Sequence, residues 1–481
     1  MPADLLLIEN QSKKPFRGRF FVPGDKSIGQ RALILAAMAE GESVINGVSN
    51  AADCLSVVNV LRQLGASIEI KDDRIATVKG WGAEGPAEIE EPLDCGNSGA
   101  CMRFISGLLA ATSGVYVLIG DESLSQRPMD RLAAVLEQFG AKVECLGKNN
   151  CAPLRITGRL HPDNKDWAQE HCAIKDNCIE IETKSASAQL KTAAMLATLA
   201  IGNLKLTLTE PLKSRDHSEI MLRKLGFKVK EQNLADGQHR IVFAVNGTRI
   251  KGFQYNVYGD PSSAAFLIAL AVMKPHSHIV IDHLVINPTR VGFFNVLKRM
   301  NAKICARFSN YNYGEMVGGI TVDYSHLKGV DVRPRDIPLC IDEIPLLAVI
   351  ASKAYGITRV RGAYQLRQKE SDRISMTLRE LEKLGVKSKE YDDGFDIIGL
   401  QSKEENAELA IGKDQESVEP IVLDAHGDHR LAMSLGVAAC IYKRPIKIIG
   451  AQCCAVSFPS FWKILKTVSA FKETDSQTSR A

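Results

Sequence analysis

Five consecutive residues, Lys369-Glu370-Ser371-Asp372-Arg373, combine two cations, two carboxylates and a hydroxyl. A carboxyl group can move a proton, and adjacent Lys and Arg can hold the phosphate or carboxylate of an anionic substrate. If the stretch is helical, Lys369, Asp372 and Arg373 share a face, while Glu370 lies about 100° around from Lys369 and need not be neutralised by it. The cations beside Glu370 favour its ionised form, so a protonated role needs substrate anions close by. A charge run standing alone is better read as a solvated helix face, so the surroundings decide.

Those surroundings repeat. An amphipathic helix end, a Gly or Asn stop and an alternating stretch recur at Leu61-Arg-Gln-Leu-Gly, Leu136-Glu-Gln-Phe-Gly, Leu222-Arg-Lys-Leu-Gly, Leu297-Lys-Arg-Met-Asn and Leu381-Glu-Lys-Leu-Gly, with a degenerate sixth copy near Trp462–Leu465. This is the signature of a helix, its C-terminal cap and a following strand. Upstream of each copy lies a second helix that is apolar nearly all round: 32–39, 104–111, 192–201, 264–273, 345–354 and 431–441. Such helices are buried. Six units of about 80 residues result, each with one buried helix, one surface helix and intervening strands.

The entrances to the buried helices carry the polar residues. They read Pro23-Gly-Asp-Lys-Ser-Ile-Gly-Gln-Arg31, Gly96-Asn-Ser-Gly-Ala-Cys-Met-Arg103, Lys184-Ser-Ala-Ser-Ala-Gln189, Gly259-Asp-Pro-Ser-Ser263, Ile341-Asp-Glu-Ile-Pro345 and Asp424-Ala-His-Gly-Asp-His-Arg430. Ser, Asn and Asp serve there as N-caps. Lys26, Arg31, Arg103 and Arg430 are not explained by capping, because cations at the positive end of a helix dipole are unfavourable unless an anion neutralises them. Helix N-termini with basic side chains are anion sites. The pattern predicts a cleft into which several buried helices point their positive ends.

The bulk composition excludes other classes. A chain of 481 residues exceeds one ordinary core and predicts two or more domains. Its 45% hydrophobic and 24% charged residues are those of a soluble globular protein, and a net charge of +4 marks no nucleic-acid binder. No apolar run reaches membrane-spanning length, and no signal peptide is recognisable at the N-terminus. The twelve cysteines are scattered without a CxxC pair, which suits reduced thiols in the cytoplasm. No spacing supports a metal site.

The segments PGDKSIGQR, CGNSGACMR, SQRPMDRL, SASAQLK, SRDHSE, YGDPSSAAF, NPTR, IDEIP, RQKESDRI, DHRLAM and SFPSF occur in this order between about residues 16 and 468. Together they resemble the 5-enolpyruvylshikimate-3-phosphate synthase family, in particular its glyphosate-tolerant bacterial class. The resemblance implies an α/β (α+β) fold of two domains, each of three βαβαββ units about a pseudo-threefold axis. One domain would comprise residues 1–23 and 257–470, the other 24–256, with crossings near 22–24 and 255–258 and a polar, frayed tail at 471–481. It implies transfer of the enolpyruvyl group of phosphoenolpyruvate to the 5-hydroxyl of shikimate 3-phosphate, with release of phosphate, in the shikimate pathway to chorismate and aromatic amino acids. It calls for no cofactor and no metal, and for a cytoplasmic monomer without membrane or nucleic-acid partners. An open and a closed state are expected.

By the same resemblance Glu370 shuttles the proton at C3 of phosphoenolpyruvate, Asp342 is the base toward the 5-hydroxyl, and Lys26 stands near the reacting centre. Asp342 could instead cap the helix opened by Pro345, and Glu343 is its rival. Phosphoenolpyruvate would meet Lys26, Gly99, Arg127, Gln189, Arg373 and Arg430. Shikimate 3-phosphate would meet Lys26, Ser27, Arg31, Ser187, Ala188, Gln189, Arg215, Asp342 and Lys369, with Ser187 and Arg215 on the 3-phosphate. His217 reads equally as a ligand neighbour or as a structural histidine. The chain departs from the family at Gly29-Gln30, where Ser or Thr followed by His or Asn is usual, and at Ala100 in place of Thr. Some tolerant relatives carry Ala at the position of Gly99, so the bare glycine implies at least partial glyphosate sensitivity. The rival transferase acting on UDP-N-acetylglucosamine carries a reactive Cys in its loop, and Ser125-Gln-Arg-Pro-Met129 has none. A non-catalytic RNA-binding descendant would lack Lys26, Asp342 or Glu370 and would carry a basic, aromatic stripe; all three residues are present and aromatics are 6%.

Overall fold

The computed structural model describes residues 5–9, 14–72, 74–400, 419–467 and 470–474. Its α-helices, in chain order, are α1 (Lys26–Ala37), α2 (Ala52–Gln63), α3 (Gly99–Leu109), α4 (Asp130–Glu137), α5 (Lys165–His171), α6 (Ala188–Ile201), α7 (His217–Lys224), α8 (Pro261–Met273), α9 (Gly292–Arg299), α10 (Ile344–Ala351), α11 (Arg373–Glu382), α12 (His429–Ala439) and α13 (Phe461–Leu465).

The six expected buried helices are α1, α3, α6, α8, α10 and α12. All residues of α8, α10 and α12 are buried. Each fully buried Leu, Ile or Phe contributes about 1.5–3 kcal/mol relative to exposure, which places these predominantly apolar helices in the core. The partners α2, α4, α7, α9 and α11 end where the repeat predicts. The stop residues Gly65, Gly140, Gly226, Asn301 and Gly385 all have φ between +72° and +97°. That left-handed conformation is free to Gly and tolerated by Asn, which explains why only these two types occupy the position.

Among the described residues six four-stranded sheets complete the six units. The unit from Cys178 shows the common plan: strand Cys178–Glu182, α6, strand Asn203–Glu210, α7, then the hairpin Lys228–Asn233 and His239–Asn246. The first two strands pair in parallel and the hairpin adds antiparallel. Three sheets borrow a strand from elsewhere in the sequence. Gln254–Asn256 pairs with Glu42–Asn46, Arg17–Phe20 with His278–Val285, and Leu5–Glu9 with Ile446–Ile449. Leu5–Glu9 also pairs with Ala470–Thr474. The polar tail expected from residue 471 is therefore a strand as far as Thr474, because its backbone groups complete a sheet edge; 475–481 lie outside the described residues.

The chain divides into two compact units. The N-terminal unit is Pro23–Tyr258 with Tyr311–Glu315, and the C-terminal unit is Met1–Val22, Gly259–Asn310 and Met316–Ala481. Assignment of 311–315 to the N-terminal unit was not anticipated from the repeats. These residues are the tip of the hairpin Lys303–Asn312 and Glu315–Asp323. Within the N-terminal unit the Asn312 side-chain amide donates to the Asn256 carbonyl at 2.7 Å, and Tyr313 packs on Tyr255 with ring centroids 4.9 Å apart. Buried His217 meets buried Glu315, Nδ1 to Oε1, at 2.6 Å. His217 is therefore tied to this tip, which favours its structural reading.

Candidate active site

In the C-terminal unit the chemistry gathers around Arg373. The stretch 369–373 is not one helix. Tyr364–Gln368 forms a 3₁₀ turn, Lys369 has extended backbone (φ −94°, ψ −157°), and α11 starts only at Arg373. Asp372 sets that start, its carboxylate accepting from the N–H groups of Ile374 and Ser375, both at 3.1 Å. The shared face expected for Lys369, Asp372 and Arg373 is thus corrected, since capping by Asp372 leaves Lys369 and Glu370 outside the helix. Glu370 Oε2 lies 2.7 Å from Arg373 Nη2. Asp372 also accepts from Arg367 Nη1 at 2.7 Å, which orients that cation.

Arg373 is 2% exposed. Its Nε and Nη2 donate to the two carboxylate oxygens of Asp428 at 2.7 and 3.1 Å, and its Nη1 lies 3.5 Å from Asp342 Oδ1. Burial opposes its charge, but the carboxylates of Asp428, Glu370 and Asp342 outweigh burial and hold the guanidinium protonated, its pKa above the ordinary Arg range. Asp428 is fully buried, caps α12 through the N–H groups of Arg430 and Leu431, and accepts from Ser371 Oγ. The Asp342 carboxylate faces Arg373 and Lys369, 3.7 Å away, and makes no cap to α10, which begins at Ile344 without a side-chain cap. Its rival Glu343 is buried, 3.9 Å from Arg430 Nη1. That Arg430 nitrogen is buried without a hydrogen-bond partner among the described residues, a donor that an anion would satisfy. Three cations, Lys369, Arg373 and Arg430, thus stand among four carboxylates, Asp342, Glu343, Glu370 and Asp428.

The N-terminal unit carries its own group of the expected site residues. Lys26 opens α1 behind its cap Asp25, and its Nζ donates to Asp53 Oδ2 at 2.6 Å. Gln30 is buried and its Nε2 donates to the Asp53 carbonyl and to Ser98 Oγ at 2.9 and 3.0 Å, so the unusual Gln pins the entrances of α1, α2 and α3 together. Gly29 beside it has nothing within 4 Å of an added Cβ. Gly29→Ala is therefore expected to stabilise the protein by about 0.5–1 kcal/mol through helix propensity, read as a raised urea midpoint at unchanged slope.

Arg31 is almost fully buried. It donates to Ser218 Oγ, the Ser27 carbonyl and Thr192 Oγ1 at 2.8, 2.8 and 2.9 Å, and lies over the Phe104 ring. Arg127 donates to Asn97 Oδ1 at 2.9 Å, and Asn97 in turn donates to Asp121 at 2.7 Å, fixing the amide's orientation. Arg103 Nη1 donates to the Gly99 carbonyl and to Gln189 Oε1, which leaves the Gln189 NH₂ as a donor. Ser187 caps α6, accepting from Leu190 N–H, so its hydroxyl proton can still be donated. Ala188 is the first residue of α6, and half-buried Arg215 precedes α7 by two residues.

A family model described as EPSP synthase (3-phosphoshikimate 1-carboxyvinyltransferase) matches residues 10–465. The chain belongs to the EPSP synthase family. Relatives named 3-phosphoshikimate 1-carboxyvinyltransferase include that of Carboxydothermus hydrogenoformans, 40% identical over 456 residues (94% of this chain, 97% of the relative), and that of Sulfurihydrogenibium sp., 37% identical over 457 residues (95% and 98%). Among solved structures, EPSP synthase from Acinetobacter baumannii aligns with a TM-score of 0.77 at 32% identity, covering 98% of this chain and 100% of that one. The enolpyruvyl transferase NikO from Streptomyces tendae, with a TM-score of 0.69 and 18% identity over 98% and 99% of the two chains, shares the fold.

Within this EPSP synthase frame, three supporting residues are not singled out by the sequence. They are Asp53 on Lys26, Asn97 on Arg127 and Asp428 on Arg373, whereas Arg103, expected at an anion site, holds Gln189. Asp428 had a readable signal, an Asp at the cap position two residues before Arg430. Nothing local marks Asp53. Among the described residues no group of His, Cys, Asp and Glu is arranged to hold a metal ion, and no helix is long and apolar enough to cross a membrane.

Proposed function

We infer that this chain is a 3-phosphoshikimate 1-carboxyvinyltransferase, acting as a cytoplasmic monomer on two small anionic substrates. The observation that carries the reading is the gathering of the Asp342 and Glu370 carboxylates on the single guanidinium of Arg373, itself fixed by Asp428. An excess of one carboxylate over the neighbouring cations favours a carboxyl that takes and returns a proton. Glu370 delivers the proton to C3 of phosphoenolpyruvate and Asp342 draws the proton from the 5-hydroxyl of shikimate 3-phosphate as that oxygen attacks C2. The tetrahedral adduct then expels phosphate while Glu370 takes a proton back from C3.

Lys26, Gly99, Arg127, Gln189, Arg373 and Arg430 serve phosphoenolpyruvate. Lys26, Ser27, Arg31, Ser187, Ala188, Gln189, Arg215, Asp342 and Lys369 serve shikimate 3-phosphate. Arg is suited to the bidentate phosphate and carboxylate contacts this assigns. Purified protein given both substrates is expected to release inorganic phosphate, and to release none when either is omitted or when UDP-N-acetylglucosamine replaces shikimate 3-phosphate. Failure to turn over overturns the reading.

Gly99 gives this reading a sharper edge. A Cβ there would stand 2.6 Å from Arg103 Nη1 and 3.3 Å from Arg127 Nη1, so Gly99→Ala must displace two guanidinium ends. The wild-type enzyme is expected to be sensitive to glyphosate in competition with phosphoenolpyruvate. Gly99→Ala should raise KM for phosphoenolpyruvate roughly tenfold, a loss of about 1.4 kcal/mol, and the inhibition constant for glyphosate by more. Steady-state kinetics with varied inhibitor checks both, and an unchanged inhibition constant removes Gly99 from the site.

A further inference from the structure

Among the buried charges that the proposed reaction does not use is a group of three beside α6. Lys191 lies on α6, two residues beyond Gln189 and so about 200° around the helix, facing inward while Gln189 stays half-exposed. It is 1% exposed, and its Nζ lies 3.1 Å from Glu210 Oε1 and 2.6 Å from Glu219 Oε1, both carboxylates equally buried. Glu210 ends the strand Asn203–Glu210, and the same Oε1 accepts the backbone N–H of Ser214 at 2.9 Å. That bond grips the loop immediately before Arg215. One carboxylate oxygen therefore joins the helix carrying Ser187 and Gln189 to the loop carrying Arg215.

Stability alone accounts poorly for such a group. Buried ion sets replaced by apolar residues of similar volume often leave a protein equally or more stable, whereas their attested use is to fix register. Burial pushes the Glu219 carboxyl up despite Lys191, while the two carboxylates hold the Lys191 ammonium up against burial. Lys191 thus faces two buried carboxylates, and Glu210 is the one that also accepts from the loop before Arg215.

We propose that Lys191, acting through Glu210, is a positioning residue for shikimate 3-phosphate: it sets Arg215 against Ser187 and Gln189 before substrate arrives. The proposal rests on the reading above that these three residues hold that substrate.

Steady-state kinetics on the full chain test it with Lys191→Met, Arg215→Met and the double variant. Lys191→Met is expected to raise KM for shikimate 3-phosphate at least tenfold while kcat and KM for phosphoenolpyruvate stay within threefold. Glu210→Gln should raise it more than Glu219→Gln, because Glu210 accepts the Ser214 N–H of the loop. Since Lys191 acts through Arg215, its effect should largely vanish in the Arg215→Met background. A merely structural lysine would instead lower all parameters together, or add its full effect in that background, and either result overturns the proposal. If Arg215→Met alone leaves KM for shikimate 3-phosphate unchanged, the site assignment itself fails and the proposal with it. Should Lys191→Met not fold, the neutral triple variant Lys191→Met/Glu210→Gln/Glu219→Gln, with no charge left in the core, decides: a wild-type KM overturns the proposal and a tenfold rise supports it.

Discussion

Glu370→Gln is expected to lower kcat by about 10²–10⁴-fold, the usual contribution of a general acid–base group, while binding of both substrates changes only a few-fold. The amide keeps the length of the side chain and an oxygen that can accept from Arg373 Nη2, at present 2.7 Å from the carboxylate. It cannot carry a proton to C3 and take one back. The contact with Arg373 makes the proposed role demanding, because a guanidinium at that distance favours the anion. The local balance works the other way: Asp342 and Asp428 already occupy the remaining edges of the same guanidinium, and a bound phosphate or carboxylate would add a further negative charge. Rapid-quench measurement of the single-turnover rate, with each substrate's affinity taken from calorimetry, checks the prediction. Loss of affinity for both substrates with an intact single-turnover rate would make Glu370 a structural partner of Arg373 and nothing more.

The architecture was legible because its signals are local. A buried helix must be apolar all round, and a helix stop in left-handed backbone must be Gly or Asn, so Gly65, Gly140, Gly226, Asn301 and Gly385 mark the units without any knowledge of their partners. The cations and hydroxyls of the site were legible for a related reason, since Lys26, Arg103, Ser187 and Arg430 stand at helix entrances where polar side chains recur. What holds those side chains was not. Asp53 is 27 positions from Lys26, Asp428 is 55 from Arg373 and Glu315 is 98 from His217; pairing over such separations is fixed by topology and leaves no trace in spacing. The geometry of 369–373 failed at a finer scale. Whether Asp372 faces solvent within a helix or turns back to cap one depends on a single backbone angle, and the cap won because it satisfies two otherwise unpaired N–H groups. The hairpin tip Tyr311–Glu315 belongs to the same class of omission, for nothing in Tyr-Asn-Tyr-Gly-Glu says which unit it joins.

Asp428 offers the second large effect, and two substitutions separate its two tasks. Its carboxylate caps α12 through the N–H groups of Arg430 and Leu431 and clasps Arg373 with both oxygens. Asp428→Ala removes both tasks and leaves a 2%-exposed guanidinium without its main partner; breaking a buried pair in this way costs about 3–5 kcal/mol. Asp428→Asn keeps the cap and one acceptor for Arg373 but loses the charge, so its stability loss should stay near 1–3 kcal/mol. Its catalytic loss should nevertheless be large. With Asp428 neutral, Arg373 turns its full charge on Glu370 and Asp342, and Glu370 is held more firmly as the anion at the moment it must deliver a proton. A fall in kcat of roughly 10²-fold, within the range for a disabled general acid, is expected for Asp428→Asn, with KM for both substrates less affected. Urea unfolding and steady-state kinetics on the two variants check this together. If kcat follows stability, so that Asn is nearly silent and Ala is not, Asp428 is a helix cap and Arg373 needs no third carboxylate.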